Sequence, residues 1–181
     1  MTEEVLCCGF GGQGIMLMGR LLALAANLEN KFITWLPAYG AEVRGGTAYC
    51  MVKISDEAIA SPIVNSPSVC IAMNEPSFKK YSGAVRKNGL LIVNSSLVNI
   101  KSDRQDIRVL YVPCTEIAKE LGNVRVANMV ALAGYLAASR IVKIESLKKA
   151  LKEEAVANYR ENLLAVNEQA IVRGLSFGKN D

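Results

Sequence analysis

Apolar and polar positions along the chain fall into short runs of two kinds. Six runs are dense in β-branched, aromatic and sulfur-bearing residues and read as strands: VLCC (5–8), FITWL (32–36), AYCMVKI (48–54), VCIAM (69–73), LLIVN (90–94) and RVLYV (108–112). Several are apolar at successive residues, which suits strands covered by helices on both faces. Between and after them, helix-type spacing predicts helices at 13–28, near 75–81, at 115–121, at 125–139, and over a long amphipathic stretch from about 145 to 173. The order β-α-β-β-β-α-β-β-α-α-α predicts an α/β fold, a three-layer α/β/α sandwich of Rossmann-like type. Its sheet should be mostly parallel with some antiparallel content from neighbouring hairpin strands. No internal repeat, low-complexity segment or linker interrupts the pattern. Residues 1–181 are therefore expected to form a single domain with a long C-terminal helical segment at about 145–173 and a frayed tail, SFGKND.

Composition changes this picture mainly by exclusion. A chain of 181 residues with 51% hydrophobic content can close a sizeable core. The net charge of +4 comes from 21 basic and 17 acidic residues spread along the chain, so nucleic acid is not a favoured partner. The apolar run 15–26 is broken by Arg20 and is shorter than the roughly 18–20 residues that span a bilayer, so no membrane partner is expected. The opening MTEEVLCCG lacks the features of a secretion signal, and the expectation is a cytoplasmic chain whose five cysteines stay reduced. Those cysteines (Cys7, Cys8, Cys50, Cys70, Cys114) never form CxxC, and there is no histidine. A zinc or iron–sulfur site within the chain is not expected, and a Ser-His-Asp or Cys-His machine is excluded.

Two glycine-rich stretches carry the candidate chemistry. The first is CCGFGGQGIMLMG (7–19), which places Gly9-x-Gly11-x-x-Gly14, with Gly12 and Gln13 between, directly after a strand and directly before a helix. Free backbone N–H groups at such a helix start attract phosphate. A dinucleotide site also needs an acid at the end of the second strand to hold the ribose. That strand here ends Trp35-Leu36-Pro37, and Glu29 and Glu42 both fall outside the required place. The glycines thus serve either a phosphate or a tight strand-to-helix turn.

The second stretch, WLPAYGAEVRGGTAYC (35–50), gathers Tyr39, Glu42, Arg44 and Thr47 with Gly40, Gly45 and Gly46 between two strands. A guanidinium beside glycine N–H groups suits phosphate or carboxylate, and in an extended segment Glu42 and Arg44 project to one side, where they can pair. A solvated loop with an incidental ion pair is the alternative. Asn74, in MNEPS (73–77), stands where a strand ends and a helix begins. It reads equally as a residue of the ligand crevice or as a helix cap.

The chain resembles the gamma subunit of 2-oxoacid:ferredoxin (acceptor) oxidoreductases, equivalent to the gamma domain (domain III) of pyruvate:ferredoxin oxidoreductase. The resemblance runs through GFGGQGIMLMGRLLA (9–23), WLPAYGAEVRGGTA (35–48), SPIV (61–64), IAMNEPS (71–77), GLLIVNSS (89–96), ELGNVRVANMVALAG (120–134) and NEQA (167–170). The WLP-x-YG-x-E-x-RGGT form is similar to the 2-oxoglutarate branch; pyruvate-type versions carry a PxxGxExRG-like form. The resemblance implies a subunit of a complex that oxidatively decarboxylates a 2-oxo acid to its acyl-CoA, with no redox group of its own and no activity when isolated. Thiamine diphosphate, magnesium and 4Fe-4S clusters are then expected on alpha, beta and ferredoxin-like delta subunits, with ferredoxin as acceptor through the complex. This chain would contribute to assembly and to the access of coenzyme A, bound at the interface through Gly9, Gly11, Gly12, Gln13, Gly14, Tyr39, Glu42, Arg44, Gly45, Gly46, Thr47 and Asn74, with no catalytic residue and no metal ligand. A self-sufficient Rossmann-type nucleotide enzyme and a ligand-free interaction module stay open beside it, as does homodimerisation of the isolated chain.

Overall fold

The computed structural model describes residues 2–39, 47–158 and 161–178. Six strands form one sheet in the order β2-β3-β1-β4-β5-β6. They are β1 (Thr2–Phe10), β2 (Phe32–Tyr39), β3 (Thr47–Ser55), β4 (Val69–Ala72), β5 (Leu90–Asn94) and β6 (Arg108–Val112). β3 lies antiparallel between β1 and β2, with Phe10 opposite Thr47 on one side and Tyr39 opposite Ala48 on the other. All remaining pairings are parallel, β1 with β4, β4 with β5, and β5 with β6. The mostly parallel sheet with antiparallel content is thus the one expected, and β3 alone supplies the exception. As a result, the C-terminal ends of β1, β2, β4, β5 and β6 rise to one edge of the molecule, where ligand crevices of open α/β sheets form.

The helices are α1 (Ile15–Asn27), α2 (Glu75–Tyr81), α3 (Cys114–Glu120), α4 (Ala127–Ser139), α5 (Ile144–Ala157) and α6 (Leu164–Leu175). Strand alternation divides the core in two. Val5, Cys7, Cys50, Val52, Ile71 and Ile92 face α1, α3 and α4, while Leu6, Cys8, Cys70, Leu91 and Val93 face α2 and the segment that follows β5. Each fully buried aliphatic side chain here contributes about 1.5–3 kcal/mol, so both faces stabilise the sheet. α4 is buried continuously from Ala127 to Leu136 because α6 closes over the side turned away from the sheet. All five cysteines are buried as expected of small hydrophobes.

α2 shows how local sequence sets an element's ends. Asn74 caps it by accepting from Ser77 N at 2.9 Å, Glu75 and Pro76 open the first turn, and Lys79 and Lys80 close the last. The long segment expected at about 145–173 needs correction, since it is two helices, α5 and α6, rather than one. Asn158 ends α5 by folding its Nδ2 back onto Glu154 O at 2.9 Å, and a 3-10 turn at Glu161–Leu163 starts α6. α5 packs on α1 through Leu147, Ala150, Leu151 and Ala155, and its last turn reaches the upper edge of the sheet. The apolar spacing continues across the break, so periodicity alone gives no sign of it.

Candidate functional site

The turn between β1 and α1 is built on two left-handed residues, Gly12 with φ 97° and Gly14 with φ 71°. This conformation is costly for any residue with a Cβ. Gln13 N closes the turn on Phe10 O at 3.2 Å. α1 therefore begins at Gly14 with no side-chain cap and no acid in its first turn. Its first N–H groups and its positive end remain open to an anion. The N–H groups of Gly11 and Gly12, both exposed, likewise meet no acceptor among the described residues. The glycines have separate reasons to be there. A Cβ on Gly9 would stand 2.6 Å from Gln13 Oε1, and one on Gly14 would collide with the Asn128 carboxamide. A Cβ on Gly11 would meet nothing within 4 Å among the described residues.

A row of amides holds the turn from below. Gln13 Oε1 accepts from Phe10 N at 2.7 Å and from Asn74 Nδ2 at 3.1 Å, and Gln13 Nε2 donates to Met73 O at 3.2 Å. The same Met73 carbonyl accepts from Asn94 Nδ2 at 3.1 Å, and Asn94 also donates to Thr115 Oγ1 at 2.9 Å. The ends of β1, β4 and β5 and the start of α3 are thereby joined. On the other side of the turn, buried Asn128 of α4 donates to Gly14 O at 3.2 Å.

Above the turn lies a cleft of about 470 Å³. Gly12 and Gly14 form its floor, Asn123, Arg125 and Asn128 one wall, and Glu154, Asn158, Asn162 and Asn167 the other. Three helices present their N-terminal ends to it: α1 at Gly14, α4 through the 3-10 turn Val124–Val126, and α6 through the turn at Glu161–Leu163. Among the described lining residues the one carboxylate, Glu154, is held by Arg20 at 3.2 Å and by Asn158 Nδ2 at 2.9 Å. The arrangement favours an anion of phosphate type over a cation. No cysteine, serine, threonine or lysine is among the described residues that line it.

Of the residues singled out in the sequence, Gly9, Gly11, Gly12, Gln13 and Gly14 form the turn itself. Asn74 is spent on the α2 cap and on Gln13. Thr47 opens β3 opposite Phe10, and Tyr39 ends β2 one strand further out, opposite Ala48, so one flank of the second glycine loop stands beside the first. Residues 40–46, with Glu42, Arg44, Gly45 and Gly46, lie outside the described residues. Asn94, Arg125, Asn128 and Asn167 lie in stretches that carry the resemblance but were not singled out for the candidate site, and neither were Asn158 and Asn162, since an isolated polar residue on a strand, turn or helix carries no spacing signal.

With this geometry in place, comparison with known proteins fixes the family. Residues 4–177 match the pyruvate ferredoxin/flavodoxin oxidoreductase family, and the chain belongs to it. It is 36% identical to the ketoisovalerate oxidoreductase subunit VorA of Methanothermobacter marburgensis over 98% of this chain but 37% of that protein. It is also 36% identical to the 2-oxoglutarate synthase subunit KorC of Methanocaldococcus jannaschii, over 93% of this chain and 92% of that one. The chain thus spans little more than a third of one relative and nearly the whole of the other. Among solved structures, the gamma subunit of the keto/oxoacid ferredoxin oxidoreductase of Geobacter sulfurreducens superposes with a TM-score of 0.83 at 28% identity, covering 98% and 97% of the two chains. Among the described residues no helix is long and apolar enough to cross a membrane.

Proposed function

We propose that this chain is the gamma-type subunit of a multi-subunit 2-oxoacid:ferredoxin oxidoreductase acting on 2-oxoglutarate, and that its cleft takes the phosphates of coenzyme A. The observation that carries the coenzyme A assignment is the open glycine turn on the floor of a cleft ringed by three helix N-termini. The subunit assignment follows from the family and from the KorC relative that this chain matches nearly end to end. Thiamine diphosphate, magnesium and 4Fe-4S clusters belong on the alpha, beta and delta subunits of this reading, and supply carbanion stabilisation and one-electron transfer there.

What this chain contributes is binding and orientation. The N–H groups of Gly11, Gly12 and the first turn of α1 provide donors for phosphate oxygens, and Arg125 adds charge at the wall. Asn128 Nδ2 uses one hydrogen on Gly14 O and has a second to offer. Arg44 is assigned to the same phosphates, because β3, which follows its loop, opens at Thr47 opposite Phe10 beside the turn. The absence of an acid at the end of β2 fits a ligand that does not present its ribose there.

The test is steady-state kinetics of the reconstituted complex together with calorimetry. Gly11→Ala should raise the KM for coenzyme A severalfold, leave the KM for the oxo acid unchanged, and leave the melting temperature where it was, since its Cβ meets only open space. Arg44→Ala should act in the same direction. NAD should not bind. If Gly11→Ala and Arg44→Ala both leave the coenzyme A dependence untouched in a complex that still assembles, or if NAD binds with a Kd near 10 μM, about −7 kcal/mol, the assignment is wrong.

A further inference from the structure

Gln13 sits within a sequence of candidate ligand contacts, yet its carboxamide points away from that task. Both of its polar atoms are committed inward: Oε1 to Phe10 N and Asn74 Nδ2, Nε2 to Met73 O. We infer that Gln13 is a positioning residue, which clamps the Gly11–Gly12 turn to the ends of β4 and β5 so that the turn's own N–H groups stay aimed outward. This inference rests on the reading of the turn as a phosphate site.

The physical argument starts from the cost of holding such a turn. Two left-handed glycines flank Gln13, and glycine loses more conformational freedom on ordering than any other residue. Among the described residues one backbone bond closes the turn on itself, Gln13 N to Phe10 O, and at 3.2 Å it is long; the other, Met18 N to Gly14 O at 2.9 Å, belongs to the start of α1. The three side-chain bonds of Gln13 therefore order the Gly11–Gly12 part of the turn, while Asn128 holds Gly14 on the other side. They also tie it to a rigid neighbour, because Met73 N is itself bound to Cys8 O at 2.9 Å and Met73 O is shared with Asn94. Asn94 in turn is braced by Thr115, donating to its Oγ1 at 2.9 Å and accepting from its N at 3.3 Å. A donor array ordered before its ligand arrives binds without repeating the ordering cost. Gln13 performs that ordering and does not contact the ligand.

The closing experiment separates the clamp from the ligand it serves. Hydrogen exchange of the bonded amides of the turn, Phe10 N–H and Gln13 N–H, is followed in the full complex without coenzyme A, for the natural protein and for Gln13→Met, which keeps the side chain's length and removes its hydrogen bonds. The expected result is exchange faster by about tenfold in the turn, as for the loss of roughly one hydrogen bond's net stabilisation. Elsewhere exchange should be unchanged. The same variant should raise the KM for coenzyme A by a similar factor while kcat at saturation and the KM for the oxo acid hold. Gln13→Glu gives a second handle: protonated, it can still donate to Met73 O, and ionised, it repels that carbonyl, so its turn should exchange relatively faster as pH rises, once the intrinsic pH dependence of exchange is divided out. Unchanged exchange in Gln13→Met with a raised KM would overturn the inference by making Gln13 a direct ligand contact. Unchanged exchange and unchanged KM would overturn it as well. Faster exchange with an unaltered KM would uphold the clamp and sink the coenzyme A reading of the cleft.

Discussion

Gly14→Ala should lower the unfolding free energy by about 2–4 kcal/mol, the largest loss expected from adding a single methyl group at the site. Two costs combine there. The residue has φ 71°, where an L side chain costs roughly 1–2 kcal/mol. The new Cβ also collides with the Asn128 carboxamide, which must swing away and give up its bond to Gly14 O. Asn128 is 2% exposed, so its displaced Nδ2 is left buried and unpaired, costing roughly 1–3 kcal/mol. Chemical denaturation decides the matter, and the double variant Gly14→Ala/Asn128→Ala divides the two contributions. Relief of the collision should make the pair of changes cost less than their sum. If Gly14→Ala unfolds at the same denaturant concentration as the natural protein, the turn does not hold the geometry described. Gly11→Ala is the matching control, because it adds the same methyl group three residues away with neither cost.

The contrast between these glycines shows where sequence is informative and where it stops. All six strands were legible, since their apolar runs are bounded by turn residues, with β4 and β5 buried on both faces, and α2 was legible to the residue because Asn74, Pro76 and the lysines mark both ends. Gly9-x-Gly11-x-x-Gly14 identified the turn, but not that Gly9 and Gly14 are required for packing, Gly12 for its φ, and Gly11 for nothing among the described residues. That division depends on neighbours far away in sequence. Asn128, 114 residues from Gly14, is the case in point. The break at Asn158 was missed for a related reason: the apolar spacing runs on through Tyr159 and Leu163, and only the return of α6 onto α4 shows that the chain has turned. The cleft exists because of that turn. Its second wall is made by the last turn of α5 and the first of α6.

At the opposite end of β1, a buried carboxyl gives the protein a pH dependence unconnected with the cleft. Glu3, 9% exposed, accepts from Tyr135 Oη at 2.8 Å, and Tyr135 is fully buried in α4. Burial raises the Glu3 carboxyl above the ordinary glutamate value of 4.5, while the Tyr135 hydrogen bond and the charge of Arg86 act in the opposite direction without cancelling it. The folded protein therefore holds this proton more tightly than the unfolded chain does. Stability falls as pH rises from 4.5 through the raised folded value, and above that value the full cost of the buried carboxylate is present. Glu3→Gln keeps an acceptor for Tyr135 and cannot ionise, so it should stabilise the protein at neutral pH and lose that advantage below 4.5. Tyr135→Phe should do the reverse: it removes the donor that favours the ionised form, and costs about 3 kcal/mol at neutral pH but less in acid. In the Glu3→Gln background most of the pH dependence of that cost should vanish. Denaturant titrations of the four proteins across this range provide the measurement, with coenzyme A kinetics expected to be unaffected at neutral pH in any variant that stays folded. A Tyr135→Phe cost that is the same in acid and at neutral pH would show that the hydroxyl packs against Glu3 without stabilising its charge.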